Sequence, residues 1–499
     1  MVTLLGLIIC NYRYTIPLKK APFCKNCNVL LISLDTCSAN HMSVYGYGRE
    51  TTPNLTALSH DGILFENAHA NANWTLPSHV SIFTGLYPFI HKITRDDGSY
   101  LNLFLLLLPE VLQKNGYETY FFAPKQEANI PPIHVYNRGI AHWDDMYWDY
   151  RQNEKTYLLK ALKQLDDNSK NNKKTFIFYH TYACHGPYLI ENQPLLYTDN
   201  KIPSLPLKDV EVFNKVLTDD YYNYLLKILP GAIKNGDFRS APKKIETFLY
   251  QLQHASNLNE AKQIYMDAWE NKFWGETIFS DYQENFRYWN KINTKKIEDV
   301  LYIQALYDQR IHTMDTELFA TLREVRSTAS WSNNTIIIIT ADHGEEFMDH
   351  GYLSHKTLYE SNVHIPFIAL IPGMTKKTIN EHIQSVDMTP TILDLVGIQN
   401  SFSFDGISLV PLLYGGSLGD RLILAEGQPD AQPDLLTIRE GDWKLFVHKN
   451  PDKTFLPYEL YDTKSDPGEH INVLVSNIDK AKQMIQKYNE LKENLFIKQ

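Results

Sequence analysis

Residues 28–35 read Asn28-Val29-Leu30-Leu31-Ile32-Ser33-Leu34-Asp35, a largely apolar run of strand length that stops at a carboxylate. A strand with one wet face alternates apolar and polar residues. This run does not, so it reads as a strand covered on both faces. Two further runs behave in the same way. Thr335 to Thr340 contains four consecutive isoleucines and leads into Asp342-His343-Gly344. Thr175-Phe176-Ile177-Phe178-Tyr179 ends at His180 and leads to Cys184-His185-Gly186-Pro187-Tyr188. Helical spacing separates them, over Pro53–Asp61, Ser78–Thr84 and Leu306–Arg323. Strands alternating with helices predict an α/β fold, a large mainly parallel sheet flanked by helices. Ligands of such sheets sit outside the carboxyl ends of the strands, and all three runs place polar, metal-capable residues there.

The chain is 499 residues long, more than one compact core needs. We assign residues 25–400 to a large α/β domain, with a helical insertion over about 189–296 that is rich in Lys, Asn, Tyr and Trp. Residues 401–499 read as a smaller C-terminal α+β subdomain. Its elements are a hairpin over Leu436–Val447, a strand at Glu459–Asp462, a turn at Ser465–Glu469 and a last helix over Ile478–Leu495. The apolar run Leu101–Leu108 reads as the start of a buried helix. Val2–Cys10 is too short to span a bilayer and lacks a basic flank. No clear membrane anchor follows, and the compartment stays open between the cytoplasm and an extracytoplasmic site reached through a truncated signal peptide.

A net charge of −10 without a long Lys/Arg block argues against a nucleic-acid partner, so any anion site must be local. Five cysteines make neither an even disulfide framework nor a double CxxC zinc pattern. Cys24 and Cys27 read as two unrelated thiols or one local disulfide.

Asp35 and Asp342 each close a doubly covered strand, where a carboxylate is costly unless paired, hydrogen-bonded or metal-bound. With His343 they make a candidate divalent-cation site. In Trp74-Thr75-Leu76-Pro77-Ser78-His79, Ser78 suits a helix N-cap. A Thr75 hydroxyl at that N-terminus, facing a metal, would gain acidity and an anion-stabilising environment. His185, in a loop after a strand, suits a general acid or an anion donor. Lys356 reads by default as a surface charge. Asp308 and His312, four apart on a helix, leave a second metal site open.

Read together, these segments resemble the sulfatase family of the alkaline-phosphatase superfamily. The motifs fall in order: Asn28–Tyr47, Thr52-Pro53-Asn54-Leu55, Pro77–Pro88, Gly116-Tyr117-Glu118-Thr119, Thr340–Glu346, Val386–Gly397, Phe404–Leu413 and Glu459–Glu469. The resemblance implies metal ligation by Asp35, Asp342 and His343. Calcium is the usual ion of sulfatases, with magnesium, manganese or zinc as alternatives. It places Thr75 at the nucleophile position, Ser78 and His79 in the substrate-binding motif, and His185 and Lys356 against the transferred group or the leaving oxygen.

Three departures qualify that reading. Sulfatases carry cysteine or serine at the nucleophile position, converted to formylglycine, followed by x-Pro-Ser-Arg. Thr75 cannot become that aldehyde, so no formylglycine is expected, and His79 stands in place of the arginine. Thr36 stands where many sulfatases hold a second metal-binding aspartate. A formylglycine hydrate expels sulfate by collapse, whereas a threonine ester must be cleaved by water in a second displacement. Threonine nucleophiles belong to phosphodiesterase and phosphotransferase relatives.

The expectation is therefore a metal-dependent hydrolase of sulfate or phosphate esters, with phosphate slightly favoured. Its substrate would be a small anionic ester on a glycan, lipid headgroup or aryl group. The alternatives are a true sulfuric-ester hydrolase and a catalytically silent binder of an anionic glycan or lipid headgroup.

Overall fold

The computed structural model describes residues 24–498 apart from 94–100, 124–137, 147–153, 187, 189–193, 199–225, 227–241, 271–291, 400–401, 428–434 and 451–453. The Val2–Cys10 stretch and much of the 189–296 insertion therefore lie outside the described residues. Within the insertion, Pro242–Gln253 and Leu258–Glu270 are helices.

Eight strands build the main sheet: β1 (Asn28–Leu34), β2 (Ile63–Phe65), β3 (Tyr117–Ala123), β4 (His142–Asp145), β5 (Lys174–Thr181), β6 (Thr335–Ala341), β7 (Phe367–Leu370) and β8 (Lys377–Ile379). Their order is β8-β2-β7-β6-β1-β5-β3-β4. Only β7 runs antiparallel to its neighbours, β2 and β6. Every residue of β1 and β6 is buried, which is why neither alternates. In the register, Ser33 of β1 lies between His180 of β5 and Thr340 of β6. Asp35, His180 and Asp342 are thereby delivered to one edge.

Two helices differ from the sequence expectation at their starts. The helix expected from Ser78 begins at Thr75 and runs to Thr84. Pro77 fits its first turn, where no amide is needed. The Leu101–Leu108 run becomes helical only at Leu108. Before that, the Arg138 guanidinium holds the carbonyls of Asn102 (3.4 Å) and Leu105 (2.5 Å) in a loop, and Leu103 and Phe104 are exposed.

The C-terminal subdomain is an antiparallel sheet of β9 (Leu422–Glu426), β10 (Leu435–Glu440), β11 (Trp443–Lys449) and β12 (Phe455–Asp462). Gly441, at φ +57°, supplies the left-handed residue that the tight β10–β11 turn requires. The Ile478–Lys498 helix covers the sheet through Ala481, Met484, Tyr488 and Leu495. Leu86, Tyr87 and Val386 of the larger domain join the same core. Cys24 and Cys27 form the local disulfide just ahead of β1. Among the described residues, no helix is long and apolar enough to cross a membrane.

Candidate active site

The Thr75–Thr84 helix starts against the carboxyl edge of the sheet, with Thr75 as its first residue. Ser78 is not the cap: its hydroxyl donates to the Ala72 carbonyl (3.1 Å) and anchors the loop entering the helix. Thr75 Oγ1 lies 3.4 Å from His343 Nε2. The first amides of a helix have no partner within it, so an anion formed at this hydroxyl would be favoured.

Around Thr75 the strand-end residues converge. Asp35, Asp342 and His343 offer ligand atoms all within 4.8 Å of one another, and all three residues are buried. His343 Nε2 is 4.0 Å from Asp35 Oδ1 and 3.6 Å from Asp342 Oδ2. One oxygen of Asp342 is saturated, accepting the amides of Thr36 (3.2 Å) and His343 (2.8 Å). Thr36, at φ +53°, turns the chain after β1 so that its amide can do this. The other Asp342 oxygen and both oxygens of Asp35 are buried without a well-formed hydrogen bond among the described residues, although the Thr75 side chain stands close enough to Asp35 to favour its charge. Buried carboxylate oxygens are rarely left so. Their donor chemistry, two carboxylates and an imidazole, fits a divalent cation.

The electrostatics agree. Burial, then the charges of Asp342 and Glu345, hold the Asp35 carboxyl well above the usual range. Burial also pushes Asp342 up, but His343, His79 and His180 outweigh it and its carboxyl is held low. Burial drives the His343 imidazole down, towards its neutral, ligating form.

His79 points away from solvent. Its Nε2 is 2.9 Å from Ser33 Oγ, and its ring meets that of His180 edge-on at 4.5 Å. Burial and the nearby His180 lower its pKa to about 3. It therefore sits in the floor of the site rather than on its rim. His185 is brought to the site and is half-buried; its Nδ1 donates to the Gly186 carbonyl (2.6 Å), and desolvation followed by His355 lowers its pKa to about 4. A neutral imidazole of that kind is a poor proton donor at pH 7.

Sequence reasoning missed the pair Glu345 and His355. Glu345 accepts from His355 Nδ1 (3.1 Å) and from the Tyr188 hydroxyl (2.7 Å). Its carboxyl stays low despite burial because of these two partners. The His355 ring lies 4.7 Å from that of His343 and 5.9 Å from that of His185. The Lys356 side chain next to it is exposed, and its amide donates to Glu346 (3.1 Å). The one available signal was Glu345 immediately after Asp342-His343-Gly344.

Asp308 and His312 do not form a second metal site. Asp308 is saturated by His41 (2.7 Å), Tyr47 (2.7 Å) and Arg49 (2.6 Å), while exposed His312 bonds the Glu50 carbonyl at 3.2 Å. Those three donors, one of them a guanidinium, already meet the charge of that carboxylate.

This architecture, a mainly parallel sheet with a cation-fitted edge and a hydroxyl at a helix N-terminus, is that of an ester hydrolase. The family model "Sulfatase" matches residues 27–398, and the model "N-sulphoglucosamine sulphohydrolase, C-terminal" matches residues 348–498. The chain belongs to the sulfatase family. It is similar to an N-acetylglucosamine-6-O-sulfatase of Bacteroides thetaiotaomicron, 24% identical over 93% of this chain and 86% of that protein. It is also similar to arylsulfatase K of Rattus norvegicus, 23% identical over 89% of this chain and 74% of that protein. Among solved structures, the phosphonate monoester hydrolase of Agrobacterium radiobacter shares the fold, with TM-score 0.63, 19% identity, and 94% and 96% of the two chains covered. A protein solved in complex with its substrate D-glucosamine-2-N,6-O-disulfate also has TM-score 0.63 and 19% identity, with 94% and 99% covered. These relatives favour sulfuric esters over the phosphate-first order drawn from Thr75, since the phosphonate hydrolase likeness speaks to the fold alone.

Proposed function

We propose that this chain hydrolyses sulfuric esters of small saccharides, with Thr75 as nucleophile and a divalent cation held by Asp35, Asp342 and His343. The supporting observation is the Thr75 hydroxyl at a helix N-terminus, 3.4 Å from His343 Nε2 and close enough to the buried Asp35 carboxylate to favour its charge. A bound ion there would lower the pKa of the hydroxyl and neutralise charge on the ester. Thr75 Oγ1 forms a bond to sulfur as the bond from sulfur to the saccharide oxygen breaks, and the alcohol departs with a proton. Water then attacks the same sulfur, and Thr75 Oγ1 leaves and regains its proton. His355, held by Glu345, is the group best placed to exchange these protons, with His185 accepting hydrogen bonds beside it. Ser78 holds the entry loop of the nucleophile helix.

Phosphate monoesters are the second reading, carried by Thr75 itself, which has no second hydroxyl with which to expel sulfate. Metal-free protein should be reconstituted separately with calcium, magnesium, manganese and zinc. It is then assayed on N-acetylglucosamine 6-sulfate and on matched aryl sulfate, aryl phosphate and bis-aryl phosphate. Sulfate turnover abolished in Thr75→Ala is expected. Phosphate turnover alone would reverse the order of the two readings. Full activity in Thr75→Ala would remove the nucleophile assignment, and metal binding without turnover would favour a silent binder of anionic glycans or lipid headgroups.

A further inference from the structure

His79, His180 and Asp342 form a second group whose ligand atoms all lie within 4.8 Å of one another, and all three residues are buried. Hydrogen bonding fixes how the imidazoles present themselves. His180 Nδ1 lies 3.3 Å from the Ser33 carbonyl oxygen, which can only accept, so Nδ1 carries a proton and Nε2 is the atom turned towards the carboxylates. That Nε2 is 3.5 Å from Asp35 Oδ2.

His343 repeats the arrangement, with Nδ1 on the Gly344 carbonyl (3.0 Å) and Nε2 towards Asp342. The Thr75 backbone hydrogen-bonds the His79 ring, whose Nε2 meets the Ser33 hydroxyl at 2.9 Å. Histidines whose other ring N–H is tied to a backbone carbonyl are set up as metal ligands. The ion-pair neighbours of Asp35 are both histidines, and that of Asp342 is His343.

We propose that His79, His180 and Asp342 form a second cation site, sharing Asp342 with the first and suited to zinc. Two imidazoles and a carboxylate suit zinc, whereas calcium takes oxygen ligands. The inference rests on the proposed function only through the shared aspartate. The ion would displace the Ser33 hydroxyl from His79 Nε2.

The test is the zinc content of metal-free protein after loading and gel filtration, repeated with cobalt(II), whose visible absorption reports nitrogen ligation. Wild-type protein is expected to hold about two ions per chain and His180→Asn about one. Ser33→Ala is expected to bind the second ion about fivefold tighter, because a competing hydrogen bond of about 1 kcal/mol is gone. That variant decides the matter even if His180→Asn fails to fold. A single ion, lost in His343→Asn but kept in His180→Asn, with Ser33→Ala unchanged, would overturn this inference and leave the proposed function standing. A folded wild-type protein that holds no ion would overturn both.

Discussion

Two buried clusters of charge in this molecule are balanced in opposite ways. Between the domains, Glu360 pairs with Arg439 (2.7 Å) and Lys444 (2.7 Å), and Lys444 pairs with Glu469 (2.8 Å). Burial opposes the Glu360 charge, but Arg439 and Lys444 outweigh it and hold its carboxyl well below the usual range. That cluster is neutralised from within. At the sheet edge, the described ion-pair neighbours of Asp35 and Asp342 are imidazoles, and three of their four oxygens lack a well-formed hydrogen bond among the described residues. A buried carboxylate paired with Lys or Arg is architecture. One set among buried imidazoles, with no Lys or Arg paired to it among the described residues, is suited to an ion from outside.

The largest effect should separate the clusters by the sign of a single substitution. Lys444→Met leaves Glu360 and Glu469 under-compensated and should destabilise the protein by about 3–5 kcal/mol in urea unfolding. Asp35→Asn removes a charge that burial and its neighbours already oppose. It should leave metal-free stability unchanged or raised while abolishing turnover. A large loss of stability in Asp35→Asn would erase the distinction.

Metal should act on one cluster only. Zinc at 100 times its Kd should raise unfolding stability by about 2.7 kcal/mol per site, and chelation should reverse this. The gain should survive in a Glu360→Gln background and vanish in Asp342→Asn. At the catalytic level, Glu345→Gln should lower kcat by about 100-fold with little change in KM, because His355 loses the carboxylate that orients it and supports its charge. Tyr188→Phe removes only one of the hydrogen bonds on Glu345 and should cost about tenfold or less. Equal effects of the two would point to packing rather than proton transfer.

The strand ends were legible in the sequence because doubly covered strands suppress alternation, and a carboxylate after such a run is conspicuous. Asp35, Asp342 and His343 could therefore be placed together before any contact was known, and Thr75 joined them through the family resemblance. His180 was visible at the end of β5, but its value depends on the Ser33 carbonyl across a strand pair, which one-dimensional spacing does not carry. Glu345 and His355 escaped because their pairing is a loop closure. The i, i+4 spacing of Asp308 and His312 suggested a metal, yet the helix turns Asp308 into three donors from the segment after β1. The helix start was misplaced because Ser78 has the chemistry of a cap, although here it bonds the carbonyl of Ala72 (3.1 Å) behind it.

The last comparison sets two histidines of similar acidity side by side, and turns on the slope of stability against pH. His79 and His91 are both buried with pKa values lowered to about 3, in each case chiefly by burial. His91 is internally satisfied, between Ser81 Oγ (3.0 Å) and the Ile93 amide (3.1 Å). A histidine whose folded pKa is depressed adds stability that is fully present above its unfolded value of 6.5 and is lost as the pH falls towards about 3. Each such group contributes a slope of about 1.4 kcal/mol per pH unit across that window. Replacing His91 with Asn should flatten the acid limb of stability against pH by that amount, equally with and without zinc. Replacing His79 with Asn should flatten it by the same amount in metal-free protein. With zinc bound, wild-type His79 must release the ion before it takes up a proton, so the limb should move to lower pH and the His79→Asn difference should widen. Identical behaviour of the two variants in zinc would place His79 with His91, as packing alone.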